Sequence, residues 1–301
     1  MDSSTGKKFK RNNFIMIFAT IFWSGAFIAG KYSVSEFPVL SLVFFRFLFA
    51  SLIIFPIMMK TEKNWKITKE DIPVFLKLGI VGMIGYHVFF FECLNYTTAT
   101  NSSIIGATNP IVTTIIAAVV LKERFKIKHI GSLILSFVGV LFIITNGDIS
   151  AIINFQFNKG DLIMMLAVIC WSTYSVMSKK AVEKYSPIKV TAYSFLFCVI
   201  VIFPFTLLDN PMEFIPKVSP YGWMSVLYMS FFASVCGYLI QQISIKNIGP
   251  ANTNMFINLN PVFSMIFAYI ILGEPILLIK VIAAGFIISG VIISNIPEKE
   301  N

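Results

Sequence analysis

The sequence predicts an all-α membrane protein of ten transmembrane helices arranged as two inverted five-helix repeats, and three observations carry that prediction. Of 301 residues, 56% are hydrophobic and 13% charged, whereas an average soluble domain is about half apolar and about a quarter charged. The apolar residues gather in ten stretches long enough to cross a bilayer, and groups of residues in the first half of the chain return in the second half at matched separations. With 31 Phe and a mean hydropathy of +0.80, nearly every helix would be apolar all round. A single soluble domain has no interior large enough to bury that surface. Disordered, collagen-like and disulfide-scaffold classes are excluded by the high apolar content, the lack of a Gly-X-Y period and the presence of only 4 Cys.

A helical crossing needs about 20 mostly apolar residues. The stretches run over 13–34, 38–58, 73–93, 97–121, 128–146, 159–178, 188–208, 220–242, 250–272 and 277–296, and are numbered here as spans 1 to 10. The apolar run of span 1 exceeds the about 7–15 residues of a signal-peptide core, so it is read as a span and not as a cleaved leader. In span 3, Gly79, Gly82 and Gly85 recur every third residue and give one small-residue face for a close helix neighbour. Spans 4 and 9 carry Pro110 and Pro261 near their middles. Each proline lacks a backbone donor and frees the carbonyl four residues earlier, at Gly106 and Ile257, so both helices are expected to kink. Ile111–Leu121 and Val281–Ile293 are apolar at consecutive positions, unlike the alternating strands of about 10 residues in a membrane β-barrel, which leaves helices to satisfy the backbone. The four cysteines Cys93, Cys170, Cys198 and Cys236 form no C-x-x-C pair and are read as packing residues.

The net charge of +9 does not point to nucleic acid, because the basic residues flank the spans. If the N-terminus is cytoplasmic, 19 of the 24 Lys and Arg lie at the inner ends, only Lys31, Lys159, Lys217 and Lys280 lie at the outer ends, and Arg46 is inside a span. This positive-inside bias places both termini in the cytoplasm of a multi-pass protein of the cell membrane. The expected organisation is a cytoplasmic tail over 1–12, a first five-helix repeat over 13–146, a second over 159–296 and a short cytoplasmic tail over 297–301.

The repeat is explicit. Trp23-Ser24, Lys31 and Phe55-Pro56 return as Trp171-Ser172, Lys179 and Phe203-Pro204; Asn109-Pro110, Glu123 and Gly139 return as Asn260-Pro261, Glu274 and Gly290; Gly85-Tyr86 returns as Gly237-Tyr238. Several identities in one order at matched separations mark a duplication. Each half holds an odd number of spans, so equivalent helices cross in opposite directions. Inverted repeats typify secondary transporters, whose site lies between the halves.

These residues resemble the drug/metabolite transporter superfamily and, within it, the EamA-type ten-span carriers. The resemblance covers essentially residues 13–295 and rests on the two Trp-Ser pairs, on Arg46 within Phe44-Phe45-Arg46-Phe47, and on the two blocks from Asn-Pro through Leu-x-Glu to Gly. It implies export or import of small metabolites, often amino acids or amphipathic compounds, without an ATPase. The second half departs from the first at Ser194, where Arg46 would map, so any duty of the arginine is not duplicated.

Within the spans the ionisable residues singled out are Arg46, His87 and Glu92. Arg46 has two readings: a structural ion pair with Glu92, reached by snorkelling, or recognition of an anionic group, with Glu92 or His87 as a protonatable partner for proton coupling. Asn109 and Asn260, beside the two prolines, are either interhelical glue or part of a site between the halves. Trp23, Trp171, Tyr86 and Tyr238 are candidate walls of the same cavity. Glu123 and Glu274, at the ends of spans 4 and 9, read as boundary anchors. Gly25 to Lys31 spells G-x-x-x-x-G-K, but Tyr32 stands where a P-loop needs Ser or Thr and the stretch lies inside a span. His87 and His129 are the only histidines, on different spans, so no metal site is expected, and no cofactor and no nucleophile arrangement of an enzyme.

The expected function is therefore secondary transport of a small polar or amphipathic metabolite by alternating access. Its partners are a small-molecule substrate and membrane lipid, with no nucleic acid; the oligomeric state is left open by the sequence, which is compatible with a monomer. The alternatives are a membrane-embedded enzyme or sensor, for which no ligand cluster or appended soluble domain is seen, and a channel, for which no charged ring or carbonyl filter is seen. The orientation is testable. Cysteines introduced at Gly6, at Glu300 and in the Glu62–Lys69 loop should be shielded from an impermeant thiol reagent in intact cells and one at Asn210 should react; labelling of 62–69 from outside reverses the assignment.

Overall fold

In the computed structural model, residues 3–121 and 158–295 are described, together with the isolated positions 131, 134, 135, 138, 139 and 142. The fold is all helical, with no strand among the described residues. Span 1 is the helix Ser3–Ser33 and span 2 the helix Val39–Thr61, which opens after Pro38. Span 3 begins as Ile72–Leu78, widens into a π-helical stretch over Gly79–Gly85 and continues as Tyr86–Tyr96. Span 4 is in two pieces, Ala99–Gly106 and Asn109–Val120. Span 5, expected over 128–146, lies outside the described residues apart from the isolated positions, as do Glu123, His129 and the 297–301 tail.

The second half repeats the pattern. Spans 6 and 7 are Lys159–Lys184 and Pro187–Thr206. Span 8 is Pro220–Tyr228, a π-helical stretch over Met229–Cys236, and helix from Gly237. The chain turns back at Gly249, whose φ of 81° is left-handed and suits a residue without a Cβ. Span 9 passes through the 3₁₀ turn Met255–Leu259 to the helix Asn260–Phe267, and span 10 is Leu278–Asn295.

Local chemistry sets these boundaries. The side chains of Thr98, Asn158, Ser186 and Ser219 each accept a hydrogen bond from a backbone N–H in the first turn of spans 4, 6, 7 and 8, which satisfies donors that lipid would leave bare. Pro187 and Pro220 follow in the first turns of spans 7 and 8, where a missing N–H costs nothing. The same residue interrupts spans 4 and 9, as expected, but neither freed carbonyl is bare. Asn109 Nδ2 donates to Gly106 O at 2.7 Å, and the Asn260 backbone N–H donates to Ile257 O. The helix breaks are thus repaired locally.

The two halves interlock. Span 1 packs on spans 8 and 9, span 6 packs on spans 3 and 4, and spans 2 and 7 pack on each other. The glycine face of span 3 permits this approach: a Cβ on Gly82 would strike the ring of Tyr174, and one on Gly79 would lie 3.0 Å from backbone atoms of Ser194 and Cys198. The exterior carries large apolar side chains such as Leu52, Ile200, Phe203 and Ile270, the surface that acyl chains require. Gly25–Lys31 lies in unbroken helix and Lys31 Nζ donates to Leu94 O and Thr97 O, so the G-x-x-x-x-G-K stretch has no phosphate-binding loop.

Polar links join the halves at both ends of the bundle. At one end the Glu36 carboxylate accepts from Ser219 N at 2.7 Å and Ser219 Oγ at 2.8 Å, and Asp209 Oδ2 accepts from Ser41 N and Oγ. At the other, Asp71 Oδ1 accepts from Lys184 Nζ at 3.0 Å and from the Tyr185 hydroxyl, and Lys189 Nζ donates to the carbonyls of Asn64 and Lys66. These are called the Glu36 end and the Asp71 end below. Burial alone would push the Glu36 carboxyl up, but the backbone and side-chain hydrogen bonds from Ser219 outweigh it and hold the group below its usual range. A carboxylate whose folded value is depressed adds stability above its unfolded value of about 4.3, and that stability is lost as pH falls through the folded value. Thermal unfolding of the purified protein across the acid range should therefore show a smaller acid-dependent loss in Glu36→Gln than in wild type; identical pH profiles would remove Glu36 from the linkage.

Candidate functional site

A cavity sits between the two halves, lined by Trp23, Ala26, Phe27, Arg46, Tyr86, His87, Phe90, Gly106, Asn109, Trp171, Tyr238, Ile257 and Asn260. Spans 1, 2, 3, 4, 6, 8 and 9 all contribute. The structure brings Trp23, Arg46, Tyr86, His87, Asn109, Trp171, Tyr238 and Asn260, the residues singled out as substrate-binding, to this one place. Glu92 is elsewhere: it is half-buried, accepts from Asn95 Nδ2 at 3.2 Å and does not line the cavity.

The asparagines are held across the repeat. Ser172 Oγ donates to Asn109 Oδ1 and O at 3.2 and 3.3 Å, and Ser24 Oγ lies 3.4 Å from Asn260 Oδ1 and O. The Trp-Ser pair of each half therefore engages the Asn-Pro pair of the other, the reciprocity that a two-fold relation between repeats produces. Trp23 and Trp171 meet edge to face, ring centroids 5.5 Å apart, and both reach Tyr238, at 6.4 and 5.4 Å. Tyr86 lies 4.7 Å from Trp171. Gly85-Tyr86 and Gly237-Tyr238 stand where the two π-helical stretches return to α-helix, a geometry that turns the tyrosines by one extra residue and is common at functional sites.

The chemistry departs from two-fold symmetry. Arg46 is 2% exposed, and its Nε donates to Ser234 Oγ at 2.9 Å. Its guanidinium carbon lies 5.5 Å from the Phe47 ring centre and 5.8 Å from that of Phe91. No carboxylate pairs with it among the described residues, so the ion pair with Glu92 is not formed. Distance along the span had allowed that pair; the π-helical stretch of span 8 instead presents Ser234 to the arginine. His87 Nδ1 is 2.9 Å from the Met83 carbonyl, which can only accept, so Nδ1 carries the proton and Nε2, 3.2 Å from the Tyr238 hydroxyl, is the acceptor for the phenol. Trp23 Nε1 donates to Ala233 O at 3.0 Å, whereas the equivalent indole N–H of Trp171 is buried without an acceptor.

Sequence reasoning did not place Ser24, Ser172 and Ser234 in the site. The first two belong to the repeated Trp-Ser pairs, whose identity in both halves was a usable signal. Ser234 had none, because its repeat equivalent is Gly82. Glu274, read as a boundary anchor, instead caps the other repeat: its carboxylate accepts from Ala99 N, Thr100 N and Thr100 Oγ1 at the start of span 4. No cluster of metal-ligating residues occurs among the described residues.

The cavity encloses about 30 Å³, room for one or two waters and far below the several hundred Å³ of an occupied small-molecule site.

Comparison with known proteins gives this geometry its context. The EamA-like transporter family matches the chain twice, over residues 11–145 and 158–296. An uncharacterized transporter of Bacillus subtilis, YyaM, is 32% identical over 287 residues, covering 94% of this chain and 93% of its own. An uncharacterized transporter of Archaeoglobus fulgidus is 28% identical over 301 residues, covering 96% and 99%. A crystal structure with 18% sequence identity shares the fold, with a TM-score of 0.67 over 95% of this chain and 96% of the other. With both of its halves matched and its relatives aligned almost end to end, the chain belongs to the EamA-like transporter family: it is a multi-pass membrane transporter and not an enzyme.

Proposed function

We propose that this transporter carries a small polar or amphipathic metabolite with an anionic group, an amino acid or a related compound, across the cell membrane by alternating access, with both termini on the cytoplasmic side. The observation that carries the reading is the closed cavity between interlocked repeats, which holds a buried arginine with no carboxylate partner among the described residues. A buried guanidinium without an anion is costly, and a substrate carboxylate bound through two parallel N–H donors meets that need. Ser234 occupies Nε and so orients the terminal nitrogens. The orphan indole N–H of Trp171 and the NH₂ group of Asn260, whose side-chain oxygen faces Ser24, add donors. The rings of Trp23, Tyr86 and Tyr238 supply an apolar wall for the rest of the solute. His87 is the cavity group able to take a proton, and doing so would turn Nε2 into a donor and reverse its bond with Tyr238. Glu92, outside the cavity, is the weaker coupling group.

Two outcomes follow from these contacts. Arg46→Lys keeps the charge but loses the fork, and loss of charge-assisted hydrogen bonds of about 1.5–3 kcal/mol should weaken substrate affinity about 10–100-fold. Ser234→Ala should weaken it less. Affinity on purified protein for substrates found in a proteoliposome uptake panel, beside thermal stability, checks this, and near-normal affinity in Arg46→Lys would leave the arginine a structural role only.

Asn109→Leu and Asn260→Leu should abolish uptake while the protein still inserts and stays monodisperse, because leucine fills the space but loses the amide contacts across the halves. Ser24→Ala and Ser172→Ala should cost about 0.5–1.5 kcal/mol each in stability, with partial uptake. Full uptake by both leucine variants would reduce the asparagines to helix glue.

A further inference from the structure

The side chains that line the cavity are almost all buried, and its two sides are built of different material. Towards the Asp71 end lies a network of amides and hydroxyls. Gln242 Nε2 donates to Tyr174 Oη at 2.6 Å and to Ser178 Oγ at 3.2 Å, and Asn254 Nδ2 donates to Thr113 Oγ1 at 2.8 Å and to Ser175 Oγ at 3.1 Å. All of these residues except Thr113 belong to the second repeat, and all are fully buried. Beside them, both side-chain polar atoms of Gln241, the Oε1 of Gln242 and the Oγ of Ser244 are buried with no partner.

Towards the Glu36 end most of the equivalent positions are apolar; the exceptions are Ser103 and Ser264, which stand where Asn254 and Thr113 do, and Glu92, which stands where Ser244 does. Tyr174, Ser175 and Ser178 correspond to Ala26, Phe27 and Gly30, and Gln241 and Gln242 to Phe89 and Phe90. Where Gln242 meets Tyr174 and Ser178, Phe90 packs edge to face on Phe27, centroids 5.0 Å apart. The lysines differ in the same sense. Lys31 ties span 1 to the carbonyls of Leu94 and Thr97, whereas its equivalent Lys179 pairs with Glu183 one turn along its own helix.

We propose that the route between spans 4, 6, 8 and 9, past Gln241, Gln242, Tyr174 and Ser178, is the hydrated access path of the carrier, and that these uncharged donors and acceptors form a second station for the polar part of the solute between the cavity and the Asp71 end. The inference rests on the alternating-access reading and adds which side opens at rest. Parting an apolar seal exposes rings to water and is opposed by the hydrophobic effect. Parting a hydrogen-bonded seal exchanges protein partners for water at little net cost, and the four orphan atoms of Gln241, Gln242 and Ser244, against the two of Asn101 and Ser264 towards the Glu36 end, gain partners they lack when closed. Polar links exist at both ends, among them the buried bond from Thr97 Oγ1 to Asp161 Oδ1 towards the Glu36 end, so the difference lies beside the cavity, at Tyr174, Ser178 and Gln242 against Ala26, Gly30 and Phe90.

The test is side-specific thiol accessibility. In a background with Cys93, Cys170, Cys198 and Cys236 replaced, single cysteines Gln241→Cys and Ser178→Cys are compared with their repeat equivalents Phe89→Cys and Gly30→Cys, in right-side-out and inside-out vesicles without added solute. The probe is the impermeant 2-(trimethylammonium)ethyl methanethiosulfonate. Cysteines at 241 and 178 should react from the Asp71-end face at least about tenfold faster than those at 89 and 30 from either face, the population ratio expected from one restored hydrogen-bonding group. The conservative Ser178→Cys reports should Gln241→Cys perturb the fold, and adding Gln242→Leu should slow labelling at 178. Equal rates at the four positions, faster reaction at 89 and 30, or no reaction at 241 and 178 would overturn the proposal. Labelling needs no substrate: asymmetric accessibility in a protein that moves no solute would refute the transport mechanism and leave the path standing, and uptake with symmetric labelling would do the reverse.

Discussion

The contacts between the serine after each tryptophan and the asparagine before each central proline are the joint on which the interior depends: Ser172 Oγ donates to Asn109, and Ser24 Oγ, whose proton goes to Thr20 O at 2.7 Å, lies 3.4 Å from Asn260. Lipid offers no partner for a polar group, so a proline break in the middle of a span must be repaired from within the protein. In span 4 the repair and the joint are the same residue: Asn109 closes the carbonyl freed by Pro110 with its nitrogen and accepts Ser172 with its oxygen. Breaking the helix, satisfying the break and docking the second repeat on the first are therefore one event. The π-helical stretches of spans 3 and 8 bring Tyr86 and Tyr238 to the level of the tryptophans.

On this two-fold frame the chemistry is one-sided. Arg46 has no equivalent, since Ser194 occupies its place, and its anchor Ser234 corresponds to Gly82, whose missing side chain makes room for Tyr174. Trp23 has an acceptor for its indole and Trp171 has none. The scaffold is two-fold, and the donors that face its cavity are not.

The same divergence distinguishes the seals. Phe27 and Phe90 pack ring on ring on one side of the cavity, whereas Tyr174, Gln242 and Asn254 are hydrogen-bonded on the other. Hydrophobic closure is strong and dry, and amide closure is directional and readily exchanged with water. The small free volume of the cavity is the joint result, as neither seal leaves space for more than a water or two.

Much of this was legible in the amino-acid sequence, because lipid is an exacting solvent. Twenty-residue apolar stretches mark spans, mid-span prolines mark breaks, and matched pairs such as Trp23-Ser24 and Trp171-Ser172 mark a duplication whose odd span number implies inversion. The same reasoning located the residues that line the cavity, since polar groups in spans must face protein. Hydropathy and spacing are local properties, however, and partner choice is not. Arg46 had Glu92 within reach by depth, but the side chain turns to Ser234, 188 residues away, because the π-helical stretch of span 8 presents that hydroxyl. Glu274 at a span end caps span 4 of the other repeat, and the Gly106 carbonyl is closed by its neighbour Asn109. The sequence by itself determined which groups cannot face lipid; only the packing of one repeat on the other decided which of them meet.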